Sequence, residues 1–263
     1  MDSGLTNKIA MVAAASRGLG FAVAQGLAAE GAKVSLCSRT AAAAHSAAEQ
    51  IRQVTGATVL AVEADVQTAE GIARWHEATM AGFGGVDVLY TNSGGPPTGA
   101  TLEFDDAAWQ KAFDLLFMSA LRMIRLAAPV MEKRGGGAIL LATSSSVREP
   151  IQNLALSNVM RCAVASLAKT LSLELAPKGI RVNQLIPGRI ATDRLAQLDT
   201  AMAARAGVTV EETRNRSLAN IPMARYGDPV EFANGAVFLL SGAASYITGA
   251  TLQVDGGAMR AVI

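Results

Sequence analysis

Seven short apolar runs, separated by longer stretches with helical spacing, constrain this chain more than any other feature. The runs predict strands over Ile9–Ala14, Lys33–Ser38, Thr58–Glu63, Val86–Thr91, Ala138–Thr143, Arg181–Ile186 and Thr251–Val254. Between them the spacing predicts helices over Phe21–Glu30, Ala41–Val54, Glu70–Ala81, Asp106–Lys133, Asn158–Ala176 and Pro229–Leu240. Strands that are apolar along their length bury both faces, and the intervening helices supply the cover. The fold class is therefore α/β: one doubly wound domain on a mostly parallel seven-stranded sheet, with ligands expected beyond the carboxyl ends of the strands.

At 263 residues the chain needs no second domain, so residues 1–263 are read as one unit. The stretch 192–226 breaks the rhythm; it is either a lid over a site or a surface helical insertion. A composition of 51% apolar and 17% charged residues excludes disorder. The net charge of +1 gives no reason to expect nucleic acid or an anionic membrane as partner. No apolar run reaches the roughly 18–20 residues that span a bilayer. Lys8 before the run Ile9–Ala15 imitates a short secretion signal, but Asp2 and the direct passage into Ser16 favour a buried first strand. Cys37 and Cys162 have no metal-ligand spacing, and the expected setting is reducing and cytoplasmic. No metal site is expected.

The first strand runs into Ala14-Ala15-Ser16-Arg17-Gly18-Leu19-Gly20 and then a helix. Amides at a helix N-terminus attract a pyrophosphate, and glycines let the backbone come close to it. Ser16, Arg17, Gly18, Leu19 and Gly20 are therefore candidate cofactor-binding residues on a Rossmann-type scaffold. An NAD site usually carries a carboxylate after the second strand for the ribose 2′-hydroxyl. Here the position reads Ser38-Arg39. Arg39 and Arg17 suit a 2′-phosphate, which favours NADP(H) over NAD(H), unless both simply face solvent.

These segments, with others along nearly the whole chain, resemble the short-chain dehydrogenase/reductase family. The glycine loop is similar to Thr-Gly-x-x-x-Gly-x-Gly, with Ala13 and Ala14 in place of Thr and the first Gly. Asp65-Val66 resembles the family's adenine-holding pair, and Asn92-Ser93-Gly94 its Asn-Ala-Gly. Glu174-Leu175-Ala176, Gly179-Ile180-Arg181-Val182-Asn183, Pro187-Gly188, Ile247-Thr248-Gly249 and Val254-Asp255-Gly256-Gly257 also match. The resemblance implies cofactor contacts from Asp65, Val66, Asn92, Gly94, Pro187 and Gly188. It also implies a homodimer or homotetramer paired through the two long helices.

In that family a serine orients the carbonyl, a tyrosine transfers the proton, a lysine four residues on lowers the tyrosine pKa, and an asparagine supports a water chain. Counting back from Glu174-Leu175-Ala176 puts Ser157 at the tyrosine position and Arg161 at the lysine position. The serine falls within Ser144-Ser145-Ser146, with Ser144 the preferred position, and Leu116 stands at the asparagine position. Tyr90, Tyr226 and Tyr246 have the wrong spacing, and His45 and His76 read as solvated helix residues. Ser144, Ser157 and Arg161 are the candidate catalytic residues. Leu156-Ser157-Asn158, Gly94-Gly95-Pro96-Pro97 and Pro187-Gly188-Arg189-Ile190 are similar to a divergent subgroup, like β-ketoacyl carrier-protein reductases, with a non-standard catalytic tetrad.

Arg148, Arg189 and Arg194 stand in loops at the carboxyl edge. With Arg161 they offer an anionic substrate group a cationic lining, or they are solvated or paired with Glu149 and Asp193. Arg148 and Arg189 are the candidate substrate residues. The expected function is an NADP(H)-dependent oxidoreductase for a small carbonyl or alcohol substrate. A lyase or isomerase on the same scaffold, and a non-catalytic nucleotide-binding protein, are the competing readings.

Overall fold

The computed structural model describes residues 3–261. Its strands are β1 (Ile9–Val12), β2 (Lys33–Ser38), β3 (Val59–Glu63), β4 (Val88–Thr91), β5 (Gly137–Ala142), β6 (Ile180–Pro187) and β7 (Thr251–Val254). They form one sheet in the order β3-β2-β1-β4-β5-β6-β7, and every pairing is parallel. The order reverses between β1 and β4. A crevice opens at that switch point, beyond the carboxyl ends of the strands.

Helices cover both faces because each strand is apolar on both. Helices α1 (Gly18–Ala29), α2 (Ala41–Thr55) and α9 (Pro229–Leu240) bury residues such as Leu27, Ile51 and Phe232 with Val12, Leu36 and Leu140. On the other face α3 (Ala69–Phe83), α5 (Ser119–Lys133) and α6 (Ala155–Leu175) bury Trp75, Met131 and Val164 with Met11, Leu89 and Ile139. Helix α4 (Asp106–Phe113) precedes α5, and α7 (Asp193–Ala206) and α8 (Val210–Ala219) follow β6. The helix ends follow local chemistry. Thr40 and Thr68 accept from the backbone at the starts of α2 and α3, and left-handed Gly56 and Gly84 close them. No helix of the described residues is long and apolar enough to cross a membrane.

The amino edge of the sheet is held by paired charge. Asp87 accepts from the Ile9 amide at 2.8 Å and takes a two-pronged grip from Arg134 at 2.9 and 3.0 Å. Arg181 donates to the carbonyls of Leu239, Ile247 and Ser241, which fastens α9 to β6. Asn183 donates to Ile247 and accepts from Ala250, closing β6 on the chain that enters β7. Several of the sequence matches are thus scaffold ties.

Three of the differences from the sequence expectation bear on the crevice. Strand β1 ends at Val12, because the chain turns at Ala14, where φ is +50°. The long helix expected over 106–133 is interrupted by a π-turn at Asp114–Met118. The Ser119 hydroxyl donates to the Leu115 carbonyl at 2.6 Å, satisfying an acceptor that the wider turn displaces. The last long helix begins at Ala155, three residues before the expected Asn158, so Ser157 lies in its first turn.

Candidate active site

The switch-point crevice is a cavity of about 1540 Å³, large enough for a dinucleotide and a small second molecule. It runs from the glycine loop and the end of β2 to the end of β5 and the start of α6. Each of the candidate cofactor residues Ser16, Arg17, Gly18, Leu19, Ser38, Arg39, Asp65, Val66, Asn92, Gly94, Pro187 and Gly188 lines it. Gly20 sits just behind. A Cβ there would lie 2.5 Å from the Ala14 carbonyl oxygen, so only glycine lets α1 begin this close to β1.

At the nucleotide end, backbone bonds hold the shape of the loop. Ala14 occupies the left-handed region, which a glycine would take without strain. Bonds from Ala13 to the Tyr90 carbonyl (3.1 Å) and from Ala15 to the Cys37 carbonyl (3.0 Å) hold it there. Ser38 donates to Ser16 at 3.1 Å, bridging the end of β2 to the loop, and no acidic side chain follows β2. Arg39 is exposed on the cavity wall, whereas Arg17 reaches Asp193 of α7 at 3.5 Å. Burial pushes the Cys37 thiol up to about 12, with the nearby Asp65 charge adding to the rise, so this cysteine is an inert neighbour of the loop. Among the described residues no cluster could hold a metal ion.

The chemical end is built from two loops and one helix. Ser144 caps the turn Ser145–Val147 by accepting from Ser146 at 3.2 Å. Asn158 donates to the Ile151 carbonyl at 2.9 Å and accepts from the Ile151 amide, closing the loop that leads into α6. The Gly99 amide donates to Asn153 at 2.8 Å, which stitches that loop to the one after β4. Ser157 and Arg161, one turn apart on α6, then reach the same cavity as Ser144. Arg161 donates to the Ala142 carbonyl at 2.6 Å, two residues before Ser144. Burial pushes its guanidinium down to about 10; Tyr90 partly offsets the fall and the charge of Arg194 adds to it. It stays a cation at neutral pH.

Other candidates fall elsewhere. Arg148 is exposed and is not among the residues lining the cavity. Arg189 lines it but donates to buried Asp199 at 2.7 Å, and the Tyr226 hydroxyl donates to the same carboxylate at 2.9 Å. That trio pins α7 to the chain following α8. Arg194 points across the cavity mouth and donates to the Pro96 carbonyl at 3.1 Å, while Arg205 donates to Thr98 at 3.1 Å. The stretch 192–226 thus carries α7 and α8, and α7 is tied to the loops after β1 and β4 across the mouth.

Leu116 is buried, as befits packing. His45 is exposed, but His76 departs from expectation: it is half-buried on α3, its Nε2 has no partner, and burial lowers its pKa. Tyr90 is fully buried with an unpartnered hydroxyl that burial keeps protonated, and it does not line the cavity. Among the described lining residues there is no tyrosine, lysine, histidine or cysteine.

Sequence reasoning missed three contributors. Ser119 donates to a backbone carbonyl at the π-turn, Asp199 neutralises Arg189, and Gly95 makes room for Arg194. Only Gly95 left a signal, the Gly94-Gly95-Pro96-Pro97 run.

Comparison with known proteins agrees with this architecture. A family model described as enoyl-(acyl carrier protein) reductase matches residues 13–259. Dehydrogenase/reductase SDR family member 4 of Homo sapiens is 35% identical over 256 residues, covering 96% of this chain and 88% of that protein. The 7alpha-hydroxysteroid dehydrogenase of Escherichia coli K12 is 32% identical over 258 residues, covering 97% and 96%. The structure of L-sorbose reductase from Gluconobacter frateurii, complexed with NADPH and L-sorbose, superposes with a TM-score of 0.94 at 34% identity over 100% of both chains. The chain belongs to the short-chain dehydrogenase/reductase family of oxidoreductases.

Proposed function

We propose that the protein is an NADP(H)-dependent oxidoreductase that interconverts a small carbonyl compound and its alcohol without the family's tyrosine and lysine. The observation that carries this reading is one continuous cavity. It joins the glycine loop, Ser38 and Arg39 at one end to Ser144, Ser157 and Arg161 at the other. The close glycine contact at Gly20 and the absence of an acid after β2 fit a phosphorylated dinucleotide. The Gluconobacter reductase, similar over its full length, is described with NADPH.

The bound cofactor would supply a hydride, which requires mainly proximity and orientation from the protein. Gly18, Leu19 and Asn92 would position it, and Asp65 and Val66 would flank its adenine. Ser144 orients the carbonyl by donating to its oxygen. Arg161, a fixed cation, stabilises negative charge developing on that oxygen and does not itself give up a proton. Water held by Ser144 and Ser157 is the proton source. A missing positioned acid typically costs about 10²–10⁴ in rate, so turnover is expected to be slow or confined to a reactive carbonyl. The small-molecule site, a cytoplasmic setting and a homo-oligomer paired through α4–α5 and α6 belong to the same reading.

Fluorescence titration with NADPH and NADH, followed by absorbance with a panel of ketones and β-ketoacyl thioesters, tests it. Tighter NADPH binding and cofactor consumption with at least one carbonyl are expected. Equal or tighter NADH binding overturns the preference, and binding without turnover overturns the enzymatic assignment.

A further inference from the structure

Two of the seven arginines that line the cavity are neutralised by carboxylates. Arg17 reaches Asp193, and Arg189 is held by Asp199. Arg39, Arg205 and Arg216 form no ion pair among the described residues, and neither do Arg161 and Arg194, which are anchored beside the ends of β5 and β4. Each spends a donor on one backbone carbonyl, Ala142 for Arg161 and Pro96 for Arg194. A guanidinium has five N–H donors, so most of the hydrogen-bonding capacity of both is left for a ligand. Their charges also act on each other, and burial lowers the pKa of both. Arg161 is half-buried and Arg194 is exposed at the mouth, and a half-buried cation that feels a like charge costs free energy unless an anion compensates it.

The fold also makes a seat for the second arginine. A Cβ at Gly95 would stand 2.7 Å from Arg194 Nη2 and 3.0 Å from its Cζ. The guanidinium therefore lies against a glycine that a larger residue would push away. Arg161 is anchored two residues before Ser144 on the same strand end, so an anion held by it lies near a carbonyl held by Ser144.

We propose that Arg161 and Arg194 form a two-guanidinium receptor for the carboxylate of an oxo-acid substrate whose carbonyl is presented to Ser144. Planar carboxylates match guanidinium forks, which fixes orientation as well as charge. The placement of the carbonyl rests on the reductase reading; carboxylate binding does not.

Calorimetric titration of the NADP⁺-loaded protein separates the two, because oxidised cofactor allows binding without reduction. The probes are acetoacetate and benzoylacetate, each against its methyl ester. The wild type is expected to bind the acids about tenfold or more tightly than the esters. Arg194→Gln and Arg161→Gln are each expected to bring that ratio close to one. Gly95→Ala is expected to lower it with both charges intact, and Arg148→Gln to leave it unchanged. Should Arg161→Gln fail to fold, Arg194→Gln, on the first turn of α7, decides alone. Equal affinity of wild type for acid and ester, no binding of either acid, or a ratio that survives Arg194→Gln overturns the receptor. Turnover of the esters with NADPH reports independently on the reductase reading. Ester reduction without acid preference would remove the receptor and keep the reductase, and acid preference without turnover would do the reverse.

Discussion

Arginines at the two edges of the sheet live in opposite surroundings. At the amino edge Arg134 grips Asp87 with two bonds, and Arg181 satisfies three carbonyls. At the carboxyl edge Arg161 and Arg194 each hold one carbonyl and no acid, inside a cavity. At the amino edge the cations close the scaffold, whereas at the carboxyl edge paired Arg17 and Arg189 share the cavity with Arg161 and Arg194. The same contrast separates the halves of the cavity. Its nucleotide end is shaped by backbone and glycines, with a left-handed alanine at position 14, whereas its chemical end depends on individual side chains.

The sharpest way to disturb the contrast is to restore the family's side chains at the carboxyl edge. Ser157→Tyr combined with Arg161→Lys is expected to raise carbonyl reduction by about 10²-fold, the usual contribution of a positioned acid. Steady-state rates with the wild type's best carbonyl check this, and an unchanged rate would mean that the cavity no longer presents substrate to that helix face.

The amino edge should answer in stability. Asp87 is nearly buried, while Arg134 is 37% exposed, so removing the carboxylate is expected to cost about 2 kcal/mol rather than the larger loss of a fully buried pair. Urea unfolding of Asp87→Asn measures it, with cofactor affinity unaffected. Burial alone would raise the Asp87 pKa. The Arg134 bonds, the Ile9 amide and the charges of Arg134 and Lys8 outweigh it and hold it below the ordinary aspartate range. A carboxyl depressed in the folded state stabilises fully above its unfolded pKa and loses that contribution as pH falls through the folded value. The wild type is therefore expected to weaken below about pH 4, and Asp87→Asn to lose that part of the acid sensitivity.

Two smaller effects probe the nucleotide end. Arg39→Ala is expected to weaken NADPH binding by about tenfold and leave NADH unchanged, as loss of a charge-assisted phosphate contact would. Ala14→Gly relieves a left-handed alanine and is expected to stabilise the protein by about 1 kcal/mol in thermal unfolding, without weakening NADPH binding.

Much of the fold is legible because continuous apolar strands and amphipathic helices obey local rules. All seven strands, and the positions of Ser157 and Arg161 relative to Glu174-Leu175-Ala176, follow from periodicity and counting. Which arginine meets which partner does not, because that depends on side-chain direction across elements distant in sequence. Arg148 and Arg194 look alike as loop residues and both are exposed, yet Arg148 lies outside the cavity while Arg194, in the first turn of α7, lines it against Gly95. Arg189 reads as a ligand candidate until Asp199, ten residues on, turns back on it. The π-turn is equally hidden, because it changes the bonding of the helix without changing its apolar stripe.

The central claim is hydride transfer without the usual tyrosine and lysine, and isotope tracing tests it most directly. The protein is incubated with NADPH deuterated at C4 of the nicotinamide and a panel of carbonyl compounds, including the oxo acids and esters above. Deuterium is expected on the carbinol carbon of at least one product, with loss of that label in a Ser144→Ala variant. NADPH that binds but transfers no deuterium to any carbonyl would contradict the account.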